Sequence, residues 1–166
     1  MKKEVLKEFF QKYIENTPYK AVVVDKKMLL CRLTAAVSRG IDIGYQKRRV
    51  YITTRCLKHL YDKKPAEEFL FLIKNLYEVV RRPEKIYQNR KGKRGEIGFV
   101  KRIGNFEYFC SIETMAIDIS VGFTGLSEEL QIATAFRLRD DAYIKKYTLL
   151  WDRGNGNPHR SALDAP

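Results

Sequence analysis

The chain is short of the residues that build metal sites and disulfide frameworks. It holds two histidines and three cysteines in 166 residues, and Cys31, Cys56 and Cys110 stand far apart with no CxxC spacing. Such a set makes neither a zinc cluster nor the dense cross-linking of a small secreted domain. No stretch approaches the ~18 apolar residues of a membrane-spanning helix, so no membrane partner is expected. The opening Met1-Lys-Lys-Glu-Val-Leu-Lys-Glu carries charge where a secretory signal needs an apolar core, which predicts a cytoplasmic protein with reduced thiols. Internal repeats and low-complexity segments are missing too, and no cofactor is expected.

Acidic residues are also in deficit. Lys and Arg number 32 against 20 Asp and Glu, giving a net charge of +12. An excess of that size favours a polyanionic partner, because neutralised phosphates release counterions and so drive binding. Nucleic acid is the expected partner; charge that serves solubility alone is the alternative. The length suits one domain with a sizeable core, with room for an appendage.

Residues 2–16 read as a helix, with Val5, Leu6, Phe9, Phe10, Tyr13 and Ile14 at three- and four-residue steps and Pro18 as the stop. Ala21–Val24 is a short β-branched run, and 28–37 fits either helix or strand. Residues 1–45 carry no motif and read as a helical N-terminal extension or small lobe. Val50–Thr53 reads as a strand, with Thr53 or Thr54 capping a short helix that carries Leu57, His59 and Leu60. Pro65 with Glu67 and Glu68 opens a second helix, whose apolar face is Phe69, Leu72, Ile73, Leu76 and Val80. Beyond Pro83 the pattern becomes short strands: 85–88, 96–103, a hairpin at Gly104-Asn105, 106–112, a further strand near 117–123, and 131–139. A last helix is expected over 142–151, followed by a flexible tail over 153–166. Helices first and strands afterwards predict an α+β fold: N-terminal helices on one face of an antiparallel four- to five-stranded sheet, with a C-terminal helix. The other sheet face would be free to line a groove.

Cutting RNA without a metal requires a group to take the 2′-OH proton, a group to protonate the leaving 5′-oxygen, and a cation on the phosphate. His59 can supply a proton-transfer step, since imidazole titrates near neutrality; the other reading makes it a packed or surface group on a short helix. His159 lies in the tail, where nothing holds near-attack geometry. Lys58 adjoins His59. Lys93 and Arg94 lie in the basic loop 89–95, which is either a phosphate-tracking loop or a solvated turn. Lys101 and Arg102 end one strand. Thr134, Arg137 and Arg139 lie on another, where alternation places Ile132, Thr134, Phe136 and Leu138 on one face and both arginines on the other. Tyr108 interleaves with these bases and could stack an unpaired base.

The order of strand, Leu57-Lys-His-Leu60, Pro-started helix, Arg82-Pro-Glu-Lys-Ile86, basic loop, hairpin and Ala133-Thr-Ala-Phe136 resembles the phage-associated branch of the barnase–EndoU–colicin–RelE nuclease superfamily. The resemblance covers about Arg49 to Trp151, so residues 46–152 would form the nuclease domain. It implies metal-independent endoribonuclease action that leaves a 2′,3′-cyclic phosphate, in a toxin or phage protein. His59, Lys101 and Thr134 would be the catalytic positions; Lys58, Lys93, Arg94, Arg102, Arg137 and Tyr108 would bind the nucleic acid. RNA, tRNA among the candidates, would be the partner, alongside an acidic inhibitor or immunity protein. The alternatives are a non-catalytic nucleic-acid-binding module on a degenerate nuclease fold and a protein-interaction factor.

Overall fold

Apolar spacing and capping chemistry account for most elements of the computed structural model, which describes residues 2–41, 48–88, 97–118 and 126–154. Helix α1 (Lys2–Tyr13) buries Leu6 and Phe10, with Ile14 one turn further on. It stops where Asn16 takes a left-handed φ of 64° ahead of Pro18. Strand β1 (Lys27–Arg32) resolves the ambiguous 28–37 stretch, and Thr34 then caps the short helix α2 (Ala35–Gly40). Strand β2 (Arg49–Thr53) runs into α3 (Thr54–Lys63), where the Cys56 N–H donates to Thr53 Oγ1 at 3.1 Å. Helix α4 (Ala66–Arg81) starts after Pro65 and buries the expected Phe69, Leu72, Ile73, Leu76 and Val80, together with Val79.

The strands that follow are β3 (Lys85–Gln88), β4 (Ile97–Ile103), β5 (Phe106–Asp118), β6 (Leu126–Leu138) and β7 (Thr148–Asp152). Gly104, at φ 63°, makes the tight turn between β4 and β5. All seven strands form one sheet in the order β1-β2-β6-β5-β4-β3-β7. Every pairing is antiparallel except β2 with β6. The fold is α+β as expected, but the sheet is larger and mixed.

The expected C-terminal helix does not form. Residues 141–146 are a turn, and 148–152 pair with β3, Ile86 opposite Trp151. An unpaired β3 would leave a row of backbone donors and acceptors exposed, and β7 satisfies them. The apolar spacing that suggests a helix serves two surfaces instead. Trp151 enters the main core, while Tyr143 and Tyr147 pack with Phe109 and Phe136 on the opposite sheet face. Of the strand expected over 117–123, residues 117 and 118 end β5, and the remainder lie outside the described residues, as does the tail beyond Gly154.

Residues 2–41 share this architecture rather than standing apart: β1 is an edge of the common sheet, and Phe10 of α1 packs on Phe69 of α4 at 5.0 Å. Helices α1, α3 and α4 bury their apolar sides on one sheet face, against Phe99, Tyr108, Cys110, Ile112 and Ile132. Gly40, ending α2, lies against the Trp151 ring of β7, so the sheet curls until its two edges are bridged. Around Leu29, Tyr51, Gln131 and Glu113, which are successive register partners across β1, β2, β6 and β5, the other sheet face carries polar and half-buried side chains.

Candidate active site

Strand β2 pairs with β6 only at Val50 and Tyr51, after which the chain turns into α3. Helix α3 therefore flanks the edge of β6 that β2 vacates. Cys56 Sγ donates to the Ala133 carbonyl at 3.7 Å, and the Arg137 N–H finds Glu68 Oε1 at 3.1 Å. On the far side of α3, the extended segment 21–26 is fastened by buried Thr54. Its Oγ1 donates to the Val24 carbonyl at 2.6 Å and accepts from the Lys26 N–H at 2.9 Å. Between this segment, the first half of α3 and the open face of β5 and β6 lies a cleft of about 1060 Å³.

His59 lines this cleft, exposed, one helical turn from Cys56 and four residues from Arg55. His59 is not packed: Leu57 and Leu60 are the core residues of α3, as the surface-group reading has it, and His59 is exposed on the cleft side. Three carboxylates line the cleft with it: exposed Asp25 on the 21–26 segment, and Glu129 and Glu113 on the sheet, which differ in their surroundings. Glu129 is 7% exposed and receives Lys27 Nζ at 2.8 and 2.7 Å on its two oxygens, with Gln131 Nε2 at 2.7 Å. Its lone pairs are committed to structure. Glu113, opposite Gln131 in the register, is half-buried, and its side chain has no hydrogen bond or ion pair among the described residues. Arg55 is exposed and likewise forms no ion pair among them.

Of the other residues singled out in the sequence, Lys58 shares the cleft lining with His59, whereas Lys101 and Thr134 do not. Lys101 lies on the helix-covered face and donates to the Arg82 carbonyl at 2.8 Å, capping the C-terminus of α4. Thr134 lies on the open face opposite Ser111, outside the cleft lining. A bulge at Ala133 separates Thr134 from Ile132, which turns inward into the core, while Thr134 and Phe136 stay outward. The expected common face for Ile132, Thr134, Phe136 and Leu138 is thus broken, although Thr134 and Arg137 remain on opposite faces.

The expected nucleic-acid ligands are also redistributed. Lys58 is buried; its Nζ donates to Thr17 Oγ1, the Pro18 carbonyl and Asp62 Oδ1 at 2.9, 2.7 and 2.9 Å, tying the end of α1 to α3. Tyr108 is in the core, stacked on Phe71 with a 6.0 Å centroid separation, and cannot receive a base. Arg102 pairs with Glu107 near the β4–β5 turn; Glu107 is six residues along β5 from Glu113, about 20 Å at the rise of an extended strand. Arg137 lies over the Phe106 ring at 4.2 Å. Lys93 and Arg94 lie outside the described residues.

Glu113 escapes a sequence reading that ends the third strand at Ile112. The alternation Ser111, Glu113, Met115 against Cys110, Ile112, Thr114 carries on beyond that point and marks Glu113 as an open-face residue. Among the described residues no group of three or more His, Cys, Asp or Glu is placed to hold a metal, and no helix is long and apolar enough to cross a membrane. Comparison with protein-family models, curated proteins and solved structures finds no match, so the nuclease resemblance rests on the residues quoted for it.

Proposed function

We propose that the protein is an endoribonuclease in which His59 and Glu113 form the acid–base pair, rather than His59 with Lys101 and Thr134. The observation that carries this reading is that His59, the Glu113 carboxylate and Arg55, the last two without an ion pair among the described residues, line one cavity of a strongly basic chain. Glu113 takes the proton of a ribose 2′-OH, and the 2′-oxygen attacks the adjacent phosphorus. The bond from phosphorus to the 5′-oxygen breaks as imidazolium His59 gives that oxygen its proton. The products are a 2′,3′-cyclic phosphate and a 5′-hydroxyl. Arg55, one turn before His59 on the same side of α3, offsets the charge that builds on the non-bridging oxygens. The steps need no metal.

Acid–base groups of this kind each contribute roughly 10²–10⁴-fold to rate. Incubation of the full chain with RNA in EDTA should therefore give cleavage that His59→Ala and Glu113→Gln each lower by about 10²-fold or more. Salt-sensitive RNA binding with intact RNA would instead support the non-catalytic binding module.

A further inference from the structure

A second groove opens at the other end of α3. It occupies about 590 Å³ between the α3–α4 junction, the end of β6 and the 140–146 turn. Its floor is aromatic: Phe136 and Tyr143 meet edge to face, 5.0 Å apart at 85°, and Tyr143 is 37% exposed. Its walls are cationic. Lys64 Nζ lies 5.3 Å from the Phe136 centroid and Lys146 Nζ 5.6 Å from that of Tyr143, with Lys63, Arg137 and Arg139 completing the rim.

The two carboxylates in this groove are both engaged by the protein itself. Glu68 accepts the Arg137 N–H and pairs with Arg139 at 3.6 Å, and Asp140 Oδ1 accepts the Ala142 N–H at 2.8 Å. Five cations thus face two internally satisfied acids, and none of the three lysines has a salt bridge among the described residues. Cations spaced over exposed ring faces match a chain that presents a phosphate and a flat base at every repeat. A paired duplex offers the phosphates but keeps its base faces stacked inside.

We propose that this groove is a docking site for single-stranded nucleic acid. Lys64, Lys146 and Arg139 hold successive phosphates, and a base lies on the Tyr143 ring. His59 and Lys63 are one turn apart on α3, about 6 Å along its axis. A strand seated in the groove therefore leads along α3 toward the His59 cleft. That last connection rests on the ribonuclease reading; the docking itself does not.

The test is fluorescence anisotropy of the full chain with a 2′-O-methyl RNA of about 12 nucleotides, which spans the site sizes of such grooves and lacks the 2′-OH nucleophile. The single strand should bind more tightly than the same sequence as a duplex. Lys64→Gln with Lys146→Gln should weaken single-strand binding about tenfold or more and reduce the slope of log K against log salt by about 1.4. Lys7→Gln with Lys74→Gln removes the same charge from the exposed sides of α1 and α4 and should leave both nearly unchanged. Tyr143→Ala should cost about fivefold or more, the loss of one stacked base, and unchanged affinity would overturn the stacking. Because Tyr143 also packs on Phe109, Tyr143→Phe keeps the ring and should bind like the wild type. Equal losses in the two double variants, an unaltered salt slope for Lys64→Gln with Lys146→Gln, or duplex binding as tight as single-strand binding would overturn the proposal. Groove-dependent binding without RNA cleavage would sustain it while removing the ribonuclease reading.

Discussion

Replacing Lys58 by methionine separates a structural lysine from a phosphate ligand. Methionine keeps most of the aliphatic stem and deletes the ammonium. Asp62, whose side chain is 10% exposed, then retains the Lys20 N–H at 3.1 Å but loses its charged partner. Thr17 Oγ1 and the Pro18 carbonyl lose their donor as well. Breaking a buried ion pair from one side costs about 3–5 kcal/mol, far more than an exposed pair is worth. For a domain of this size each kcal/mol moves Tm by roughly 2–4 °C, so the midpoint should fall by roughly 6–20 °C. Adding Asp62→Leu removes the stranded carboxylate, and the double variant should unfold at a higher temperature than Lys58→Met alone. Thermal and urea unfolding monitored by circular dichroism give both comparisons. Lys58 lines the His59 cleft, but its ammonium is held by Thr17, Pro18 and Asp62, so RNA affinity of the folded variant should change little. A Lys58→Met protein that melts with the wild type but loses RNA affinity would refute this reasoning.

Two further perturbations probe the sheet. Gly98 faces Phe109 so closely that a Cβ there would run into the ring, so Gly98→Val should destabilise by about 1–3 kcal/mol by urea titration, and adding Phe109→Leu should recover part of the loss. Burial pushes the Cys110 thiol well up, with Cys56 and Cys31 adding to the effect. Below the unfolded-state thiol pKa of about 8.5 both states stay protonated; above it the unfolded chain ionises first, and stability falls as pH rises. Tyr147, raised by burial and by its bond with Tyr143, extends that fall above about pH 10. Cys110→Ala should flatten the first part of the decline in urea titrations under reducing conditions, and a wild-type stability constant between about pH 8 and 10 would contradict it.

Elements whose signals are local were legible in the sequence. The α4 stripe, the Thr53 cap, the Pro65 start and the Gly104 hairpin each depend on residues within a turn or two. Long-range pairing was not. Strand β7 exists because β3 needs a partner, and the parallel pairing of β2 with β6 joins residues some eighty positions apart. The site follows the same division. His59 stood out by residue type and by its place on a capped helix. Lys101 and Tyr108 had the right chemistry, but register turns both to the helix-covered face, and the Ala133 bulge resets the facing of β6. Glu113 becomes visible once β5 is carried past Ile112, because only the sheet brings it opposite the α3 cleft.

Attack by a 2′-OH at the His59 cleft can be read from a DNA oligonucleotide carrying one ribonucleotide, incubated with the protein in EDTA and analysed by mass spectrometry. A single cut is expected, 3′ to the ribonucleotide, with a cyclic phosphate on one fragment and a 5′-hydroxyl on the other. Glu113→Gln and His59→Ala should abolish that cut, while a protein with Lys101→Ala that remains folded should retain it. An uncut oligonucleotide, cleavage at deoxyribonucleotides, or full activity in folded His59→Ala protein would contradict it.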